Sequence, residues 1–276
     1  MALKVFISGK LYDKDDAKIS VYDHGLLYGD GVFDTMFATY GYIFKLEQHL
    51  ARFRRSLRAV RLEIPIPLNR LEDVIVETVA RNGLRDAYIK IVATRGVSPE
   101  PLLDPRNCAP TLIVFARPYL SLAGAGKKET GLSTKLTTTQ RIGHLALDSR
   151  IKSLDYLNLV LAKLEAVNAG ADEALLLDDQ GLVCEAPGYN LFVVRDGRLV
   201  TPERSILEGI TRETVLELAA ELGIPVESAS VAPYDLFVAD EAFLTSTAAG
   251  LIPVTRVDGA AIGDGRPGPV FRRLDA

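Results

Sequence analysis

The sequence predicts two domains side by side, an α+β domain followed by a larger α/β domain. Three observations carry that prediction. The chain has 276 residues and is 48% hydrophobic, enough to bury one large core or, more comfortably, two. Stretches of strand period and helix period are mixed from end to end. The segment from Arg117 to Lys128, with Pro118, Gly124 and Gly126, has the turn-rich makeup of an interdomain connection. We place a small N-terminal domain at 1–117, a linker at 118–128 and a large domain at 129–276.

Residues 1–10 alternate as a strand does, and a short extended stretch at Ile19–Tyr22 runs into the glycine-spaced segment from Gly25 to Phe33, which reads as strand, loop, strand. From Leu46 onward Leu50, Phe53, Leu57 and Val60 recur at helical spacing, with Arg52, Arg54, Arg55 and Arg58 on other faces. A second helix covers 70–82. Tyr88–Thr94 and Thr111–Ala116 are rich in β-branched residues and read as strands separated by the loop SPEPLLDPRNCAP. Beyond the linker we expect a helix at 155–169 whose Leu157, Val160 and Leu164 face the core. Strands at 173–178, 190–200 and 241–246, a helix at 211–222 and a terminal helix starting in GPVFRRLDA complete the second domain.

The net charge of -4, with both signs interspersed, offers no basic face for nucleic acid and no polybasic anchor. The N-terminus lacks a signal pattern, and no apolar run approaches the roughly 20 residues that span a bilayer, so a soluble cytoplasmic protein is expected. Cys108 and Cys184 alone make neither a disulfide framework nor a zinc site, which suits a reducing compartment. Small-molecule chemistry is the remaining class.

Four features bear on that chemistry. Lys152 precedes the 155–169 helix, where a lone lysine is ordinarily a solvated charge. Glu185 lies between two β-rich stretches, exposed at a strand end or buried against a cation. Gly209 stands directly before an amphipathic helix, so the amides of Ile210 and Thr211 can face an anion. Thr245, Ser246 and Thr247 close a strand and open a tight turn, a second cradle of phosphate type. Singly these are weak signals.

Taken together, YGDGVF at 28–33, HLARF at 49–53, YIK at 88–90, IKS at 151–153, CEAPGYNLF at 184–192, ILEGITR at 206–212 and TSTAAGLIPV at 245–254 resemble the class IV aminotransferases across essentially the whole chain. The resemblance implies the two-domain fold type IV architecture of pyridoxal 5'-phosphate (PLP) enzymes, D-amino acid aminotransferase-like. It implies Lys152 as the Schiff-base lysine and proton-moving base, and Glu185 facing the pyridine nitrogen. Arg52, Ile210, Thr211 and Thr247 then hold the phosphate, with Gly209 and Ser246 beside them and Leu207 against the ring. Substrate residues carried over in the same way are Tyr28, Phe33, Thr35, Tyr88, Lys90, Arg95 and Ala248. These roles suit the chemistry, since one flexible amine serves as nucleophile and base, and a carboxylate on the ring nitrogen keeps the ring electron-accepting.

Two departures bear on substrate. The Tyr-x-Arg of branched-chain members is Tyr88-Ile89-Lys90 here, a point charge in place of a two-pronged clamp, and their Phe-Glu-Gly is Phe33-Asp34-Thr35. Both carboxylate binders of the D-amino acid branch are missing, Phe33 and Glu100 standing in their places. We therefore expect transfer from L-branched-chain amino acids to 2-oxoglutarate, with Lys90 and Thr35 leaving a D-amino acid or (R)-amine preference open. Aminodeoxychorismate lyase, which has the same fold, lysine and glutamate, is the alternative reaction class, and a non-catalytic PLP-binding module ranks last. The family's site is completed by a neighbouring subunit, so the resemblance also implies at least a homodimer.

Overall fold

The computed structural model describes residues 2–100, 102–119, 124 and 126–276. The expected linker at 118–128 lies in part outside the described residues. The chain divides into two compact units, Met1–Leu120 with Ile151–Asp155, and Ser121–Arg150 with Tyr156–Ala276.

The first unit is a six-stranded antiparallel sheet with two helices on one face. Its strands are β1 (Lys4–Ile7), β2 (Lys10–Asp13), β3 (Gly31–Thr39), β4 (Tyr42–Ile43), β5 (Ala87–Val97) and β6 (Ala109–Pro118), in the order β2-β1-β6-β5-β3-β4. The strand expected over 1–10 is broken by a turn at Ser8 and Gly9, both at positive φ, which folds it into the β1–β2 hairpin. Ile19–Tyr22 enters no ladder. The glycine-spaced segment opens as a short helix, α1 (His24–Tyr28), because Asp23 caps it by accepting from the Gly25 N–H at 2.8 Å. Helices α2 (Leu46–Ala59) and α3 (Leu71–Arg81), the latter entered through a 3-10 turn at Leu68–Arg70, match the predicted periodicities. They bury Leu50, Phe53, Leu57, Leu71 and Ile75 against Val32, Met36, Ile89, Ile91, Leu112 and Val114 of the sheet. Strand alternation turns Phe33, Thr35, Tyr88 and Lys90 to the opposite face.

The second unit is built on a nine-stranded mixed sheet. It begins with α4 (Lys127–Thr130), β7 (Leu132–Leu136), α5 (Leu157–Asn168), β8 (Glu173–Leu175), β9 (Glu185–Ala186), β10 (Tyr189–Arg195) and β11 (Arg198–Pro202). It continues with α6 (Ile210–Glu221), β12 (Val226–Ala229), α7 (Pro233–Phe237), β13 (Glu241–Ser246), β14 (Gly250–Val257), β15 (Ala260–Ala261) and α8 (Pro269–Asp275). The main path is β12-β11-β10-β13-β14-β7-β8, with β9 on β10 and β15 on β14. The strand expected at 190–200 is two strands, since Asp196 and Gly197 adopt positive φ and make the tight hairpin turn an Asp-Gly pair favours.

Helix α5 presents the reverse of the expected face. Leu157, Val160 and Leu164 are 71%, 58% and 52% exposed, while Leu159, Ala162 and Ala166 are buried with Ala174 of β8 and Leu176 just beyond it. The alanines let helix and sheet approach closely, so the bulkier stripe is left outside.

Candidate active site

Lys152 is held by the backbone of the first unit. β4 pairs only with Ala38 and Thr39, so the start of that edge of β3 is taken by residues 152–154. The Phe33 N–H donates to the Lys152 carbonyl at 2.9 Å, the Leu154 N–H donates to the Gly31 carbonyl at 2.9 Å, and the Lys152 N–H donates to Ser56 Oγ at 3.2 Å. Glycine at 31 is what permits this pairing. A Cβ there would come within 2.6 Å of both the Ala93 carbonyl oxygen and Leu154 Cδ1.

The Lys152 Nζ lies 4.6 Å from the centroid of the Phe33 ring, and the Lys90 Nζ lies 4.4 Å from the same ring. Lys90 reaches it from β5, where it pairs with Thr35, so the ring stands between an amine from each neighbouring segment. Burial lowers the Lys90 pKa, and among the described residues no carboxylate forms an ion pair with it. Tyr88 lies on this face with Arg117 stacked over its ring at 4.5 Å. Tyr28 closes α1, its ring edge-on to His24 at 5.0 Å. Arg95 is committed to the protein, donating to both oxygens of Asp30 at 2.9 and 3.0 Å and to the carbonyls of Val60 and Arg61 at the end of α2.

On the helix-covered side of β3, Arg52 is buried, and its guanidinium grips Asp34 through Nε at 2.9 Å and Nη2 at 2.8 Å. His49, one turn earlier on α2, donates from Nδ1 to the same carboxylate at 2.8 Å. Its Nε2 is buried with no hydrogen-bond partner. Burial lowers the His49 pKa, which favours the neutral ring, and that ring donates to the carboxylate as its Nδ1–H tautomer.

The second unit gathers the acidic centre. Glu185, on the two-residue strand β9, is buried and accepts from Arg141 Nε at 2.8 Å, from the Leu207 N–H at 2.9 Å and from Asn190 Nδ2 at 3.3 Å. Asn190 also donates to the Leu207 carbonyl at 2.8 Å, tying the carboxylate to the chain that enters α6. Gly209 is the N-cap of α6 and supplies no side-chain cap, so the first amides of the helix are presented around Ile210 and Thr211. β13 ends at Ser246, and Thr247 and Ala248 lie in the hairpin that returns as β14. Thr245 is buried with its Oγ1 unpartnered.

The profile of "Amino-transferase class IV" matches residues 31–257. The chain belongs to the class IV aminotransferase family. A provisionally named branched-chain-amino-acid aminotransferase of Methanocaldococcus jannaschii is 44% identical over 275 residues, 99% of this chain and 94% of that one. A D-alanine aminotransferase of Staphylococcus haemolyticus is 35% identical over 98% of this chain and 95% of its own. Among solved structures, the T.th. branched-chain amino acid aminotransferase with pyridoxamine 5'-phosphate superposes with a TM-score of 0.92 at 38% identity, covering 100% of this chain and 92% of that one.

In this aminotransferase the structure adds residues to which sequence reasoning gave no role. Asp34, His49, Ser56, Arg141 and Asn190 each bond directly to Lys152, Arg52 or Glu185, or to a carboxylate that one of these grips. A signal existed for two of them: His49 and Arg52 are three apart on one helix, and Asp34 is the lone charge on the inward side of an apolar strand. Arg141 lies 44 residues from Glu185 in sequence, and nothing local marks it.

Proposed function

We propose that this chain is a PLP-dependent transaminase that moves the amino group of L-branched-chain amino acids to 2-oxoglutarate. The observation that carries the reading is the pair of amines, Lys152 and Lys90, against one Phe33 ring on a sheet face that also carries Thr35 and Tyr88. The branched-chain names of the Methanocaldococcus and T.th. proteins support the substrate class. The residues fit the cofactor. Each unit holds buried, unpartnered polar atoms beside the assigned residues, His49 Nε2 near Arg52 and Thr245 Oγ1 next to Ser246.

When bound, PLP would supply an aldehyde that takes up the amino group and a ring that accepts electrons. Lys152 Nζ would anchor the cofactor and move the proton at the substrate Cα. Glu185 would accept a hydrogen bond from the ring nitrogen, its other donors holding it as an acceptor, and Leu207 would lie against the ring. Arg52, Thr247 and Ser246, with the amides following Gly209 at Ile210 and Thr211, would hold the phosphate. Lys90, with no carboxylate partner among the described residues, would take a substrate carboxylate, while Tyr28, Phe33, Thr35, Tyr88 and Ala248 would shape the side-chain pocket. Arg95, spent on Asp30, would support that pocket from outside.

A second copy of the chain is part of the proposal. The outward stripe of α5, Leu157, Val160, Leu161, Leu164 and Val167, is a contiguous exposed apolar face that a second copy would cover. No helix among the described residues is long and apolar enough to cross a membrane. Cys108 and Cys184 are unpaired, which supports a cytoplasmic setting.

A D-amino acid preference is the second reading, favoured by the 35% identity to D-alanine aminotransferase. Titrating PLP-loaded protein with L-leucine, D-alanine and (R)-1-phenylethylamine separates these. Loss of the band near roughly 410–430 nm into one near roughly 330 nm marks amino transfer. Conversion by L-leucine alone supports the proposal, and conversion by either of the others replaces it. No conversion by any of them turns the assay to aminodeoxychorismate lyase chemistry.

A further inference from the structure

A polar cluster of Asp34, His49 and Arg52 lies between β3 and α2. Strand alternation turns Asp34 away from Phe33 and into the side of β3 that also carries Val32, Met36 and Ala38, all buried and apolar. There its carboxylate takes four hydrogen bonds. Oδ1 accepts from the Thr35 N–H at 2.7 Å, from His49 Nδ1 at 2.8 Å and from Arg52 Nη2 at 2.8 Å, and Oδ2 accepts from Arg52 Nε at 2.9 Å. The side chains of Asp34, His49 and Arg52 are all at least nine-tenths buried.

Stability explains such a cluster poorly. Desolvating two charges offsets most of their attraction, and well-packed apolar side chains of similar volume commonly do as well. What the arrangement supplies is orientation. Two parallel N–H···O contacts through Nε and Nη2 fix the plane and direction of the guanidinium, which a single contact cannot do. His49 contributes a further hydrogen bond as a neutral ring and so adds no charge competing with Arg52.

We propose that Asp34, steadied by His49, is the positioning residue that aims Arg52 at the cofactor phosphate. This rests on the reading of Arg52 as a phosphate ligand. Asp34 and Arg52 together carry no net charge, so the pair contributes directed N–H groups more than long-range attraction. Removing the acid leaves the guanidinium present but unaimed, and the loss falls on ligands that carry the phosphate.

The test compares PLP with pyridoxal, which lacks the phosphate, by titrating each into the cofactor-free full chain and reading the visible band of the lysine-linked form. The preference for PLP over pyridoxal is the readout, since a merely structural role would weaken both ligands alike. Asp34→Asn is expected to reduce that preference by roughly 10- to 100-fold, by analogy with the loss of the hydrogen-bond partner that orients a metal ligand. Pyridoxal affinity stays unchanged, and Asp34→Glu restores the preference. Combining Asp34→Asn with Arg52→Gln is expected to cost no more than Arg52→Gln alone. That comparison decides the matter even if Asp34→Asn alone does not fold, because the double variant buries no unpaired charge. An Asp34→Asn protein with wild-type preference, or additive losses in the double variant, overturns the inference. A wild-type chain that gives no visible band with either compound overturns the Lys152 reading and this inference with it.

Discussion

Gly209→Ala should destabilise this protein through one identifiable collision. Gly209 has φ -71° and ψ 134°, a conformation any residue adopts, so its backbone gives no reason for glycine. The reason is steric. A Cβ at this position would stand 2.0 Å from Asn190 Oδ1, whereas real Cβ contacts essentially never fall below 3.0 Å. Asn190 must therefore withdraw by about 1 Å, and its amide is not at liberty to do so. It is buried, and its Nδ2 donates to the Leu207 carbonyl at 2.8 Å and to Glu185 at 3.3 Å. A shift of that size carries the shorter bond past hydrogen-bonding distance and loses the longer one.

The cost is about 1–3 kcal/mol, the range for overpacking a tight site or orphaning a buried polar group. For a chain of this length that lowers the melting temperature by roughly 2–5 °C. Differential scanning calorimetry of Gly209→Ala, alone and in an Asn190→Ala background, reads the effect. The added methyl should cost much less once Asn190 is truncated, because the colliding atom is gone. An equal penalty in both backgrounds would show that the clash lies elsewhere and refute the reasoning.

Two other perturbations follow from the same structure. Burial alone would raise the Asp34 pKa, but the Arg52 charge and the hydrogen bonds from His49 and Arg52 override it and hold the group below the ordinary carboxylate range. A depressed folded-state pKa contributes stability that is present above the unfolded value and lost as pH falls through the folded one, so melting temperature should drop below about pH 4. Asp34→Asn should flatten that acid limb; an unchanged limb would exclude Asp34 as its source. On α5, Leu164→Glu places a charge in the outward apolar stripe and should convert a dimer into monomers by sedimentation velocity, with the melting temperature of the monomer little changed at so exposed a position. A wild-type monomer, or a variant with the oligomeric state of wild type, would remove α5 as the contact.

Much of the architecture was legible from periodicity because the relevant contacts are local. Helices α2 and α3 follow from apolar residues three and four apart, and β5 and β6 from runs of β-branched residues. The errors came where period is ambiguous or packing chooses between two apolar faces. Helix α5 has leucines and valines on one side and alanines with Leu159 on another, and only closeness to the sheet selects the smaller set. Likewise Asp196-Gly197 turns a run that alternation alone would continue.

For the site, the chain by itself determined which chemistry is available. Lys152, Glu185 and the helix opening at Gly209 are the proposed amine, carboxylate and anion-facing amides, assigned by resemblance to the family's motifs, and motifs are read along the backbone. Only the tertiary structure decided what holds those groups. Arg141 on Glu185 and Asp34 on Arg52 are bonds across 44 and 18 residues. Arg95, which the sequence offered to a substrate, is engaged by Asp30 at a separation of 65 residues. Such partners are set by strand register and helix facing, so a buried charge finds its counter-charge through the fold rather than along the chain, and no local pattern records the match.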